Sequence, residues 1–66
     1  MTNTLKVERA IKDFTQQQLA ELVGVSRQTI NAIEKGKYTP STTLSLKLAR
    51  VFSKHVDEFF MLEEED

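Results

Sequence analysis

The sequence contains no cysteine, one proline, two glycines and one histidine in 66 residues. Without cysteine there is no disulfide framework and no thiolate metal site, and a reducing cytoplasm is the natural setting. The lone His55 has neither a second histidine nor a cysteine to share a metal ion with, so neither a metal centre nor a general base is expected there. No apolar run approaches the ~18 residues that cross a bilayer, and Met1 to Ala10 lacks the uninterrupted apolar stretch of a signal peptide. The expectation is a soluble, cytoplasmic protein without a membrane partner. No glycine-rich phosphate loop, nucleophile-plus-base set or inward carboxylate pair occurs, which argues against an enzyme. No cofactor is implied, and so small a core leaves no evident small-molecule pocket. A chain this short buries only about 60% of its unfolded surface, so its stability is modest and self-association is the remaining source of support.

The charge is unevenly placed. The formal net charge is -1, yet six of the ten acids fall in the last ten residues, where no lysine or arginine occurs. The nine basic residues all precede position 57 and face only four acids there, Glu8, Asp13, Glu21 and Glu34, a net of +5 for that part. A basic body with an acidic tail is compatible with a polyanionic partner but does not by itself establish one.

Local patterns divide the chain into helices. Leu5, Val7, Ala10, Ile11 and Phe14 recur at near-helical spacing and predict a first helix over residues 5–14. In "FTQQQLA" Thr15 caps the next turn and Gln18 reaches back to it, a capping box flanked by a Phe14–Leu19 staple; a second helix therefore starts at Gln16, with Leu19, Ala20, Leu22 and Val23 as its apolar face. Gly24 ends it. Val25 and Ser26 repeat the staple and cap, which predicts a third helix from Arg27 to Lys35 stopped by Gly36. After the loop "GKYTPS", Thr42 to Phe52 reads as a fourth helix and Val56 to Phe60 as a short fifth one. Glu63 to Asp66 reads as a frayed acidic end.

The third helix carries the chemistry. At 100° per residue, Ile30 and Ile33 share one side, while Gln28, Asn31, Ala32 and Lys35 lie largely on the other, with Ser26 and Arg27 at the tip. Guanidinium and amide groups at a helix start suit base edges in a major groove, arginine against guanine and glutamine or asparagine against adenine. Any one of these residues would be unremarkable on a solvated surface; the combination is what points to DNA.

The stretch "TQQQLAELVGVSRQTINAIEKGKYTPS", Thr15 to Ser41, closely resembles the helix-turn-helix of the Cro and phage-repressor class, the XRE family of transcriptional regulators. The similarity runs from Leu5 to Phe60. It implies an all-α, lambda-repressor-like domain of five short helices, with helices two and three as the DNA-binding motif and the latter in the major groove. It implies base contacts from Ser26, Arg27, Gln28, Thr29 and Asn31. Phosphate contacts fall to Thr15, Gln16, Lys35, Lys37 and Tyr38, Gln16 through both backbone N–H and side-chain amide; Tyr38 reads equally well as core packing. Arg9 and Glu34 match a pair that links helix one to the recognition helix, partly exposed and worth about 0–1 kcal/mol. The chain departs from the family pattern after helix four, where Ser53 and His55 stand in place of glycine and a better cap.

Residues 1–62 are thus expected to form a DNA-binding domain with a C-terminal dimerisation segment, and 63–66 an acidic tail. Apolar Val56, Phe59, Phe60, Met61 and Leu62 exceed what one small core is expected to cover. They are assigned to a homodimer interface, with Phe60–Leu62 forming a short strand against Asn3–Lys6. The expected function is repression from a near-palindromic double-stranded operator bound by the dimer. An antitoxin-like interaction module that binds DNA only to regulate itself is the alternative, disfavoured by a tail of about six residues; an RNA-binding use lacks the aromatic platform it would need.

Overall fold

A computed structural model describes all residues, 1–66. In chain order it comprises β1 (Thr2–Asn3), α1 (Leu5–Ile11), α2 (Gln16–Val23), α3 (Arg27–Glu34), α4 (Thr42–Phe52), a single 3-10 turn (Val56–Glu58) and β2 (Phe60–Met61). Three of the helix starts are set by hydroxyl caps. Thr15 Oγ1, Ser26 Oγ and Ser41 Oγ accept from the N–H groups of Gln18, Thr29 and Leu44, at 3.0, 3.2 and 3.1 Å. At Thr15 the box is complete, because its own N–H donates to Gln18 Oε1 at 2.8 Å.

All four helices stop the same way. Asp13, Gly24, Gly36 and Ser53 take φ of 60°, 75°, 73° and 55°. The next N–H, on Phe14, Val25, Lys37 and Lys54, donates back to the carbonyl five residues earlier, on Arg9, Ala20, Ala32 and Ala49. This is a Schellman turn, which satisfies carbonyls orphaned at the helix end. Two of the four positions lack glycine. At Asp13 the turn ends α1 three residues earlier than the apolar spacing predicts, and at Ser53 it supplies the stop that the missing glycine had put in doubt.

The core joins Leu5, Leu19, Ala20, Val23, Ile30, Ile33, Leu44, Leu48, Phe52, Phe59 and Phe60. Phe59 is fully buried, edge-on to Phe52 at 5.5 Å between ring centroids, and tilted against Phe60 at 5.1 Å. These two aromatics therefore belong to the interior of a single chain, which corrects their assignment to a dimer interface. The expected fifth helix is also absent. The five residues Val56 to Phe60 cannot nucleate an α-helix unaided, and His55 offers no side-chain cap. One 3-10 turn, closed by Phe59 N–H to Val56 C=O at 3.2 Å, frees Phe60 to enter a strand.

That strand pairs antiparallel with β1, Thr2 opposite Met61 and Asn3 opposite Phe60. The sheet is shorter than expected, because the chain turns helical at Leu5, whose N–H donates to Asn3 Oδ1 at 3.0 Å. The acidic end is not frayed: Glu63 and Asp66 close a turn on the Met1 ammonium, at 3.1 and 2.7 Å.

The inward side of α1 carries charge beside the buried Leu5. Val7 and Ile11 are more than half exposed, as is Leu22 of α2, while Glu8 is buried and takes Lys54 Nζ at 2.9 Å. Turning one step along the same face, Arg9 reaches Glu34 at the end of α3. Ion pairs stand where the apolar spacing of α1 had placed core residues.

Candidate nucleic-acid interface

The turn Gly24–Ser26 sets α2 and α3 against each other, with Leu19, Ala20 and Val23 of one helix and Ile30 and Ile33 of the other buried in the shared core. Burying those isoleucines leaves the start of α3 facing out. Arg27 and Gln28 are exposed, and Asn31, one turn on, is half-buried. Ser26 and Thr29, also expected at bases, already have local partners. Ser26 caps the helix, and its hydroxyl lies 3.0 Å from that of Thr29. Either hydroxyl retains hydrogen-bonding capacity, since it both donates and accepts.

Gln16 sits at the centre of a polar network. Its Nε2 donates to Asn31 Oδ1 at 3.2 Å and to Glu34 Oε1 at 3.1 Å, while its Oε1 accepts from Arg27 Nη1 at 3.4 Å. Both amide hydrogens are thus engaged inside the protein. The side chain is thus satisfied within the isolated chain, and the N–H groups of Gln16 and Gln17, first in α2, are open for a phosphate contact as well. Glu34 in turn is held by Arg9, Nε to Oε2 at 2.7 Å and Nη2 to Oε1 at 3.3 Å, and Arg9 Nη1 also donates to Phe14 C=O at 2.9 Å. With side chains only 16% and 6% exposed, the pair is more buried than the sequence suggested.

Thr15 is committed to its capping box, so its contribution at a phosphate is limited to what the hydroxyl has left. Lys35, Lys37 and Tyr38 are exposed around the exit of α3; Tyr38, at 47%, is not packed under the loop. Two other contacts had no signature in the sequence. Asn3 Nδ2 donates to Ile33 C=O at 2.7 Å, fastening the terminal sheet to the last turn of α3. Lys54, beyond α4, pairs with Glu8. Neither involves a spacing that local rules recognise, since the partners are 30 and 46 residues apart.

Two helices joined by a sharp turn, the second presenting a guanidinium and amides at its exposed start, define a helix-turn-helix DNA-binding domain. The chain belongs to that family: the helix-turn-helix model matches residues 5–59, and the relatives place it among the XRE-type transcriptional regulators. It is 48% identical over 66 residues to an uncharacterized HTH-type transcriptional regulator of Methanocaldococcus jannaschii, covering all of both chains. It is equally similar, 48% over 66 residues and all of both chains, to the uncharacterized HTH-type transcriptional regulator YgzD of Bacillus subtilis. Among solved structures it resembles the restriction-modification controller protein C.AhdI of Aeromonas hydrophila, with a TM-score of 0.76, 32% identity and 85% of each chain covered. The clp gene regulator ClgR of Corynebacterium glutamicum matches with a TM-score of 0.75 and 28% identity over 82% of this chain and 57% of that one. No helix is long and apolar enough to cross a membrane.

Proposed function

We propose that this transcriptional regulator is a repressor that reads a near-palindromic operator as a homodimer, α3 lying in the major groove of each half-site. The observation that carries the reading is the outward start of α3. Arg27 and Gln28 are exposed there, with Asn31 following, while Ile30 and Ile33 anchor the opposite face in the core. Backbone N–H groups at the start of α2, together with Lys35, Lys37 and Tyr38, meet flanking phosphates, where a helix N-terminus favours an anion. Repression needs nothing more than occupancy of the operator.

The dimer rests on part of the surface first assigned, with Leu46 added to it. With Phe59 and Phe60 interior, Met61 and Leu62 remain exposed, and Leu46 and half-buried Val56 line a cleft with Phe60 and Met1. A second copy covers this edge and sets two recognition helices about 34 Å apart, one turn of duplex.

Titration on cognate and scrambled duplexes tests the reading. Arg27→Ala and Gln28→Ala each cost about 1–3 kcal/mol on the cognate site and less on the scrambled one; equal losses on both would refute base readout. Sedimentation equilibrium tests the dimer: Leu62→Glu dissociates it, and a wild-type protein that sediments at 7.6 kDa at micromolar concentration overturns it.

A further inference from the structure

The network around Gln16 has a direction. Arg9 has only donors to offer, so Glu34, which has only acceptors, takes it with both oxygens and presents Oε1 to Gln16. A carboxylate oxygen demands a donor, so Gln16 must turn its NH2 group toward Glu34. From the opposite side Arg27, again donor-only, meets the other end of the same amide and demands an oxygen there. Two independent charged groups thus fix one orientation of Gln16, which an amide placed by density alone would leave ambiguous. The NH2 group so placed also faces Asn31, whose partnering atom must be Oδ1. Asn31 Nδ2 is left with no partner in the protein.

We propose that the Arg9–Glu34–Gln16 chain sets the polarity of the reading surface, so that Asn31 offers N–H donors and the base pair it meets carries an acceptor edge, guanine in preference to adenine. This rests on the reading of α3 as the base-contacting helix. An asparagine pairs with adenine by accepting from N6 and donating to N7, which calls for Oδ1 to face the base. Here Oδ1 is turned toward Gln16, and the free NH2 group suits the O6 and N7 acceptors of guanine. Arg27, whose remaining donors lie beside it, favours the same edge. Glu34 touches no base in this scheme; it is a positioning residue that acts through Gln16.

Glu34→Gln tests the relay with almost no change of shape. The new amide oxygen takes the short bond from Arg9 Nε, where Oε2 stood, and the new NH2 group replaces Oε1 opposite Gln16, giving up the longer bond from Arg9 Nη2. Gln16 then turns its oxygen inward, giving up the longer, exposed contact at 3.4 Å with Arg27, whose guanidinium swings into solvent; Asn31 follows with its NH2 group, and Oδ1 faces out. Selection from randomised duplex DNA gives a wild-type preference of about tenfold for guanine over adenine at the pair lost in Asn31→Ala, and about parity in Glu34→Gln. Glu34→Gln makes no further difference to base preference in an Asn31→Ala background. In the free, 15N-labelled protein, Glu34→Gln also shifts the side-chain amide resonances of Gln16 and Asn31, a readout that needs no DNA. Wild-type selection of adenine at that pair, unmoved amide resonances, or equal loss on guanine and adenine duplexes overturns the relay and leaves α3 as the reader. A pool with no enriched motif, or one indifferent to both Asn31→Ala and Arg27→Ala, overturns the reading of α3 and the relay with it.

Discussion

Replacing Arg9 with methionine keeps much of its aliphatic stem and removes the guanidinium, which orphans two partners at once. Glu34 loses the hydrogen bonds at 2.7 and 3.3 Å, and Phe14 C=O loses the one at 2.9 Å. Removing one member of a fully buried pair costs about 3–5 kcal/mol, because the other charge is left without its counterion. Two facts lower the figure here: the Arg9 side chain is 16% exposed, so water replaces part of what is lost, and Gln16 still donates to Glu34. The expected loss is about 2–3 kcal/mol, out of a total near 3–10 kcal/mol for a domain of this size. Urea unfolding followed by far-UV circular dichroism reads this as a midpoint lowered by about 2–3 M, given a slope near 1 kcal/mol/M. The control is Arg9→Met with Glu34→Leu. An apolar pair of similar volume leaves no stranded charge and recovers most of the loss, to within about 1 kcal/mol of the original. A single variant that loses less than about 1 kcal/mol, or a double variant no better than the single, would refute the argument that the buried charge dominates.

Phe59→Ala vacates the middle of the aromatic group and should cost about 3–5 kcal/mol, enough to leave the domain mostly unfolded in a thermal melt. Ser53→Gly removes the left-handed strain at the end of α4 and should raise stability by about 0.5–1 kcal/mol; a lower melting temperature would contradict the strain argument. Lys35→Ala should weaken binding to every duplex and reduce the salt slope by about one unit, measured by titration at several salt concentrations. At the chain ends, hydrogen bonds from the Glu63 backbone and then from the Met1 ammonium hold the Asp66 carboxyl below its ordinary 3.8, while Asp66 and then Glu63 hold the ammonium above its ordinary 8.0. The clamp is therefore complete between those two values; it loosens as pH falls through the lowered carboxyl value or rises through the raised amine value. Amide chemical shifts of residues 63–66 should follow those two inflections, and midpoints at the ordinary values would show that the ends do not hold each other.

Helix starts were legible because their signals are local. Thr15 and Ser26 announce a cap within three residues, and Gly24 and Gly36 announce a stop in one letter. Asp13 ends α1 with the same backbone turn but without the glycine, so the apolar spacing ran on to Phe14. The inner face of α1 was hidden for a different reason. Glu8 looks like a solvent-facing charge until Lys54 is brought to it by the tertiary fold, at a separation of 46 residues, whereas Arg9 and Glu34, 25 apart, were legible only through the family resemblance. The reading face of α3 was visible in its residue types, since Ile30 and Ile33 fixed which side would be buried. The internal bonds of Gln16 depend on the spacing of α2 and α3 and had no local trace. Phe59 and Phe60 lie in the core while Val7, Ile11 and Leu22, equally apolar by type, stay exposed, a choice that local spacing does not carry.

The helices contain seven, eight, eight and eleven residues. An isolated helix of fewer than ~12–15 residues is marginal in water, so none of these persists on its own. The eight residues of α3, the proposed reading helix, are consequently not portable; cut out or grafted, they would be a disordered peptide. Their shape is borrowed from the core they pack on, Leu5, Phe52 and Phe59 included, and it arrives and departs with the whole domain. A regulator built this way is silenced by heat, or by a substitution anywhere in its interior, without a single contact to DNA being altered.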